Sequence, residues 1–114
     1  MPTTSATWPP KRTRGSTTGR PIMRLLDLLG RRWVLRILWE LRDGPLTFRA
    51  LRTACDEVSP SVLQQRLDDL RAARLVELQS GEGYAYSERA RELLPMLLEL
   101  HRWADKWAAG LARG

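Results

Sequence analysis

Ser59, Ser61, Gln64 and Gln65 lie within seven consecutive residues. Hydroxyls and carboxamides can both donate and accept hydrogen bonds, which is the chemistry needed to read base edges in a major groove. They belong to the stretch V-S-P-S-V-L-Q-Q-R-L-D-D-L-R-A-A-R-L, Val58 to Leu75. Ser59 before Pro60 marks a helix start: the serine oxygen accepts from a first-turn N–H, and proline fits where no N–H is needed. Leu63, Leu67 and Leu70 recur at i, i+4 and i+7 and form one buried stripe. Ser61, Gln64, Gln65 and Asp68 fall toward the other side. A solvated face on an ordinary core helix has the same composition, so the neighbouring elements must decide.

Other reactive residue types are sparse. His101 is the single histidine and has no cysteine beside it, so it is expected at a surface or interface. Asp56-Glu57 and Asp68-Asp69 are adjacent carboxylates rather than a converging acid–base pair. Asp69 stands at i+3 from Arg66 and is expected to pair with it. Gly81 and Gly83 belong to a turn rather than to a phosphate loop. No catalytic residue, metal site or cofactor is expected, and the chain is read as a non-enzyme. Cys55 is the only cysteine, so no intrachain disulfide can form, in keeping with a cytoplasmic location. It is either a redox switch or, more commonly for a lone helical cysteine, a small buried hydrophobe.

The chain of 114 residues has 43% hydrophobic residues, room for one domain with a modest core. Its net charge of +6 points to a polyanionic partner. Four of those charges, Lys11, Arg12, Arg14 and Arg20, lie in residues 1–20, which hold no acidic residue. That segment, rich in Ser, Thr, Pro and Gly, reads as a disordered basic arm, a phosphate-binding extension or an idle tail. No apolar run is long enough to span a membrane, and no secretory leader is expected.

Order is expected over residues 21–111. Residues 22–29 read as a leucine-rich helix with Arg24 and Asp27 on its wet side and Gly30 at its end. A second helix follows from Arg32 to Arg42, with Val34, Ile37, Leu38 and Leu41 inward. Asp43-Gly44-Pro45 stops it. Phe48 to Cys55 is a third, with Arg49 and Arg52 outward, and a tight link joins it to the polar-tipped helix. Two short helices so joined form a helix-turn-helix. Leu75 to Gln79, a turn at Ser80-Gly81-Glu82-Gly83, and Tyr84 to Tyr86 then read as a β-hairpin, the wing. A last helix from Ser87 is interrupted or restarted at Pro95. It carries Leu97, Leu100, Ala104, Trp107 and Leu111 on one stripe, widened by Leu94, Leu98 and Trp103. That stripe, with Leu25 and Leu28 of the first helix, exceeds what one core needs and is expected to join two subunits; a helix that only caps the monomer core is the other reading.

The fold class is therefore mainly α with a small β-hairpin, a winged helix-turn-helix that dimerises through its terminal helices. The order of residues resembles the HxlR-type winged helix-turn-helix regulators of the wider MarR-like group. The matching pieces are L-G-R-R-W (Leu29 to Trp33), I-L-W-E-L (Ile37 to Leu41), D-G-P-L-T-F-R-A-L (Asp43 to Leu51) and V-S-P-S-V-L-Q-Q-R-L-D-D-L (Val58 to Leu70). L-V-E (Leu75 to Glu77), Y-A-Y-S (Tyr84 to Ser87), Leu94-Pro95 and Trp103 complete the set, which covers about residues 21–105.

The resemblance implies a homodimeric bacterial transcription factor, more often a repressor, on palindromic double-stranded DNA. Ser61, Gln64 and Gln65 would read bases, and Arg49 and Arg52 would contact phosphates. Ser59 and Arg66 would give backbone or intramolecular support, and Ser80, Gly81 and Gly83 would shape the wing. Three departures stand out. Gly30-Arg31-Arg32-Trp33 replaces the usual Gly-Gly-Lys-Trp. Arg20-Pro21-Ile22 replaces a sensor cysteine found in many members, and Cys55 lies elsewhere. Residues 55–87 carry three positive and six negative charges, with Glu82 in the wing. Two other readings stay open. One is a winged helix that docks on protein and ignores DNA, which the acidic wing favours and the arginines and glutamines oppose. The other is a regulator gated by a flat hydrophobic effector held among Trp33, Trp39, Trp103 and Trp107 between subunits.

Overall fold

The structure, a computed structural model, describes residues 19–113. Apart from Gly19 and Arg20, the basic arm lies outside the described residues. The elements are α1 (Pro21–Leu29), α2 (Val34–Glu40), α3 (Phe48–Ala54), α4 (Pro60–Ala72), β1 (Val76–Gln79), β2 (Gly83–Tyr86), a 3-10 turn (Arg89–Glu92) and α5 (Leu94–Arg113). The chain is mainly α with one antiparallel hairpin in the order of a winged helix-turn-helix, as the periodicities indicate.

One core joins these pieces. Leu28, Val34, Ile37, Leu38, Leu51, Leu63, Leu67 and Leu70 are completely enclosed, and Leu41, Val76 and Tyr86 nearly so. Burying a leucine contributes about 1.5–3 kcal/mol, so the stripe Leu63, Leu67, Leu70 is what seats α4. Leu28, expected at a subunit contact, is instead sealed inside the chain's own core. The exposed apolar residues of α1 are Ile22 and Leu26, one turn apart. Leu25 is half-buried. The expected wet side is also displaced: the Asp27 side chain is only 8% exposed and lies 3.5 Å from Arg31. A carboxylate that finds an arginine four residues on can turn inward, which helical spacing alone does not reveal.

The wing is pinned at its base. β1 and β2 pair from Val76–Tyr86 to Gln79–Gly83. Leu46 bridges to Tyr84 through two backbone bonds of 2.9 and 2.8 Å. The segment Leu46-Thr47-Phe48 thus does two things: Leu46 forms a bridge, and Thr47 caps α3 by accepting from the Ala50 N–H at 3.1 Å. Tyr86 donates its hydroxyl to the Leu38 carbonyl at 2.5 Å, tying β2 to α2.

Pro95 does restart a helix. The 3-10 turn ends before Leu94, and Pro95 occupies the first turn of α5, where its missing N–H costs nothing. None of the 20 residues of α5 is buried within the chain. Met96, Leu100, Trp103, Trp107 and Leu111 are each more than half exposed. Among the described residues, no helix is long and apolar enough to cross a membrane.

Candidate nucleic-acid interface

The junction between α3 and α4 is a tight, strained turn. Asp56 (φ 60°) and Glu57 (φ 59°) are both left-handed, a conformation that L residues adopt at a cost of about 1–2 kcal/mol each. Side chains hold it. Arg52 donates through Nε to the Val58 carbonyl at 2.7 Å and reaches Glu57 at 3.3 Å. Arg36 of α2 donates to Glu40 at 2.8 Å, to Asp56 at 3.1 Å and to the Ala54 carbonyl at 2.7 Å. These bonds raise the Arg36 pKa, the Glu40 bond most. Arg52, expected at a phosphate, is therefore committed to the turn; a guanidinium folded onto a carbonyl six residues ahead is invisible to helical spacing. Arg49, one residue into α3, is exposed and has no hydrogen bond or ion pair among the described residues.

Ser59 caps α4, its oxygen accepting from the Val62 N–H at 3.2 Å. Ser61, Gln64 and Gln65 are all exposed at that end. Gln64 donates from Nε2 to Asp68 at 3.0 Å, and Gln65 from Nε2 to Asp69 at 3.0 Å. A carboxylate only accepts, so it fixes which end of each amide faces it. Each amide keeps its oxygen and one N–H free, the donor–acceptor pair that matches the N7 and N6 edge of adenine. Asp68 and Asp69 thus orient the two amides, pairs that an i, i+4 search for amide–carboxylate contacts would have found.

Asp69 is also a joint. Its side chain is 13% exposed and takes Arg66 at 3.0 Å and Arg31 at 3.1 Å. Arg66 further donates to the Arg32 carbonyl at 3.0 Å. Arg66 is therefore an intramolecular support that fastens α4 to the α1–α2 loop, one of the two roles expected of it. The expected Arg66–Asp69 pair is present as well.

These ties account for the acidic balance of residues 55–87. Asp56, Glu57 and Asp69 are each met by an arginine from outside that stretch: Arg36, Arg52 and Arg31. Glu77 and Glu82 are the exposed carboxylates of the hairpin. In the wing, Ser80, Gly81 and Glu82 form the exposed tip. Gly83 does not: a Cβ there would stand 2.3 Å from the Leu46 carbonyl oxygen, and its φ is +102°. It is a packing residue at the wing's root.

Cys55 is completely buried, and burial pushes its thiol pKa up, so the reactive thiolate is disfavoured. His101 lies half-exposed with its ring 4.6 Å from that of Trp39 and its Nε2 3.6 Å from Asp105. Trp103 and Trp107 stack at 6.1 Å on the outside of α5. No group of metal-ligating side chains assembles among the described residues.

A family model described as HxlR-like helix-turn-helix matches residues 28–111. YvaP of Bacillus subtilis (strain 168), described as an uncharacterized HTH-type transcriptional regulator, is 30% identical over 88 residues, covering 72% of this chain and 82% of the relative. The HTH-type transcriptional regulator YodB of the same organism is 28% identical over 99 residues, covering 82% and 88%. Among solved structures, quinone-bound YodB from B. subtilis is similar at a TM-score of 0.68 and 32% identity, covering 76% of this chain and 98% of that one. The redox regulator HypR in its reduced form is similar at 0.70 and 24% identity, covering 83% and 100%, and speaks for the fold alone. These relatives are transcriptional regulators rather than enzymes. With the family match spanning most of the folded chain, this protein belongs to the HxlR-like helix-turn-helix family of transcriptional regulators.

Proposed function

We propose that this protein is a homodimer that represses transcription by occupying a palindromic operator. The observation that carries the reading is the tip of α4: Ser61, Gln64 and Gln65 stand exposed at its N-terminal end, the two amides are oriented by carboxylates, and no other element among the described residues covers them. An α4 from each subunit would enter successive major grooves, one helical turn or about 34 Å apart. Arg49 would contact phosphate, with the basic arm adding salt-sensitive affinity. The exposed stripe of α5, from Leu100 through Trp103 and Trp107 to Leu111, with Ile22 and Leu26 of α1, would pair the subunits. Leu25 and Leu97, both half-buried, would border that surface.

Selection of bound sequences from random duplexes tests this. A two-fold symmetric site is expected, with base preferences that relax in Gln64→Ala and Gln65→Ala. Unchanged preferences in both variants would remove the reading role from these amides. Failure to bind any duplex at low salt would favour the protein-docking alternative.

The second reading, control by a small hydrophobic effector, has the quinone-bound state of YodB in its favour. A thiol-based version has no support at Cys55, which is sealed in the core.

A further inference from the structure

A cleft of about 580 Å³ opens between α1, the C-terminal end of α4, the root of β1 and the 3-10 turn. Arg24 comes from α1, Arg74 from just beyond α4 and Arg89 from the start of the 3-10 turn. No carboxylate lines the cleft. None of the three guanidinium groups has a hydrogen bond or ion pair among the described residues. Arg31, Arg36, Arg52 and Arg66, by contrast, are each tied to carboxylates. The floor is apolar, from Leu25, Ala73 and Leu75.

Like charges brought together around one hollow repel, and a bound anion relieves that repulsion. Guanidinium groups take carboxylates through paired N–H bonds, while the apolar floor rewards a hydrocarbon body. The volume falls within the range of about 300–1,000 Å³ typical of small-molecule sites. The position argues against a phosphate of the operator. At 1.5 Å per residue, the 13 residues of α4 put the cleft roughly 18 Å from the polar tip. On α1, Arg24 lies about 160° around the helix from Leu26, so the cleft and the apolar face occupy different sides.

We propose that this cleft binds a small amphipathic organic anion, a carboxylate head on an aliphatic or aromatic body, and that such a molecule is the regulator's effector. The effector role rests on the operator-binding reading; the binding itself does not. The ligand would bridge α1, which borders the subunit contact, and the end of α4, whose other end enters DNA. A change in their spacing alters duplex affinity, and by linkage the duplex alters affinity for the anion by the same factor.

The test uses the full chain. Decanoate and 2-naphthoate are titrated calorimetrically without DNA, beside decanol, 2-naphthylmethanol and inorganic phosphate. At least one of the two carboxylates should bind, about tenfold or more tighter than its alcohol and than phosphate. Arg74→Gln/Arg89→Gln, which changes two exposed side chains, should weaken that binding about tenfold or more, with unchanged unfolding temperature and unchanged duplex affinity in the absence of ligand. The carboxylate should also shift duplex affinity of the unaltered protein and not of the double variant. Absence of carboxylate binding, equal binding of the alcohols or of phosphate, or full binding by the double variant overturns the site. A double variant that loses duplex affinity without ligand shows the arginines to be phosphate contacts and overturns it too. Carboxylate binding that leaves duplex affinity unmoved overturns the effector role. A chain that binds the carboxylate but no duplex keeps the site and removes the operator reading.

Discussion

The Arg31 guanidinium lies 3.1 Å from the Asp69 carboxylate, joining the α1–α2 loop to the C-terminal part of the helix whose tip is polar. Asp69 also takes Arg66 and the Gln65 amide. One carboxylate therefore sets where α4 sits and which way one of its amides points. Asp69→Ala should lower stability by about 1–3 kcal/mol, because two part-buried arginines lose their acceptor. Urea unfolding reads this, and an unchanged midpoint would show the joint to be dispensable. Arg31→Lys should recover less than its charge suggests, since an ammonium lacks the fork that spans Asp27 and Asp69.

Gly83 and Gly81 make a controlled pair. Both have positive φ, but only at Gly83 would a Cβ collide with backbone, that of Leu46 and Thr47. Gly81→Ala should cost about 1–2 kcal/mol from backbone strain alone. Gly83→Ala should cost clearly more and break the Leu46–Tyr84 bridge, read as lost amide protection at Leu46 and Tyr84. Equal costs would mean that the wing root yields freely.

Much of this was legible in the chain. The leucine spacing of α4, the Ser59-Pro60 start and the alternation of the hairpin depend on local periodicity, and the helices and strands formed there. What local pattern did not disclose is where long side chains fold back. Arg52 bends onto Val58 and Leu28 is claimed by the chain's own core, because each is decided by a partner outside its helical repeat; Asp27 turns inward toward Arg31, which lies four residues on and just past the end of α1. The acidic excess of residues 55–87 misled for the same reason: its neutralising arginines come from α2, α3 and the α1–α2 loop.

Arg49 and Arg52 should separate cleanly. Arg49→Ala should weaken binding to all duplexes alike and reduce the salt slope by about one unit, with stability unchanged. Arg52→Ala should destabilise the fold by about 1 kcal/mol through the loss of the Val58 bond. Binding at several salt concentrations, beside unfolding curves, distinguishes them; identical profiles would refute the division of labour.

Tyr86 gives the fold an alkaline limit. Burial raises its pKa to about 12, against an ordinary value of 10.0. The unfolded chain therefore releases this proton more readily than the folded one. The contribution is fully present below pH 10, declines as pH rises toward 12, and is lost above it. Tyr86→Phe should cost about 1 kcal/mol at neutral pH through the lost bond to Leu38 and flatten the decline above pH 10. A variant with the same alkaline slope as the parent would assign that slope to other groups.

The proposed subunit contact is the last to test. Trp103 and Trp107 stack on each other with more than half of their surface still open, and Leu100 and Leu111 flank them on the same helix. Since no residue of α5 is buried within the chain, charges placed there should leave the monomer core intact. Leu100→Glu/Trp107→Glu should give a folded chain, with far-ultraviolet circular dichroism like the parent's, that sediments as a monomer where the parent is a dimer. Operator affinity should fall with it, because two helices joined in one particle bind far more tightly than either alone. A parent that is already monomeric at high concentration, or a double variant that still pairs, would place the contact elsewhere and leave the twin-groove geometry without its spacer.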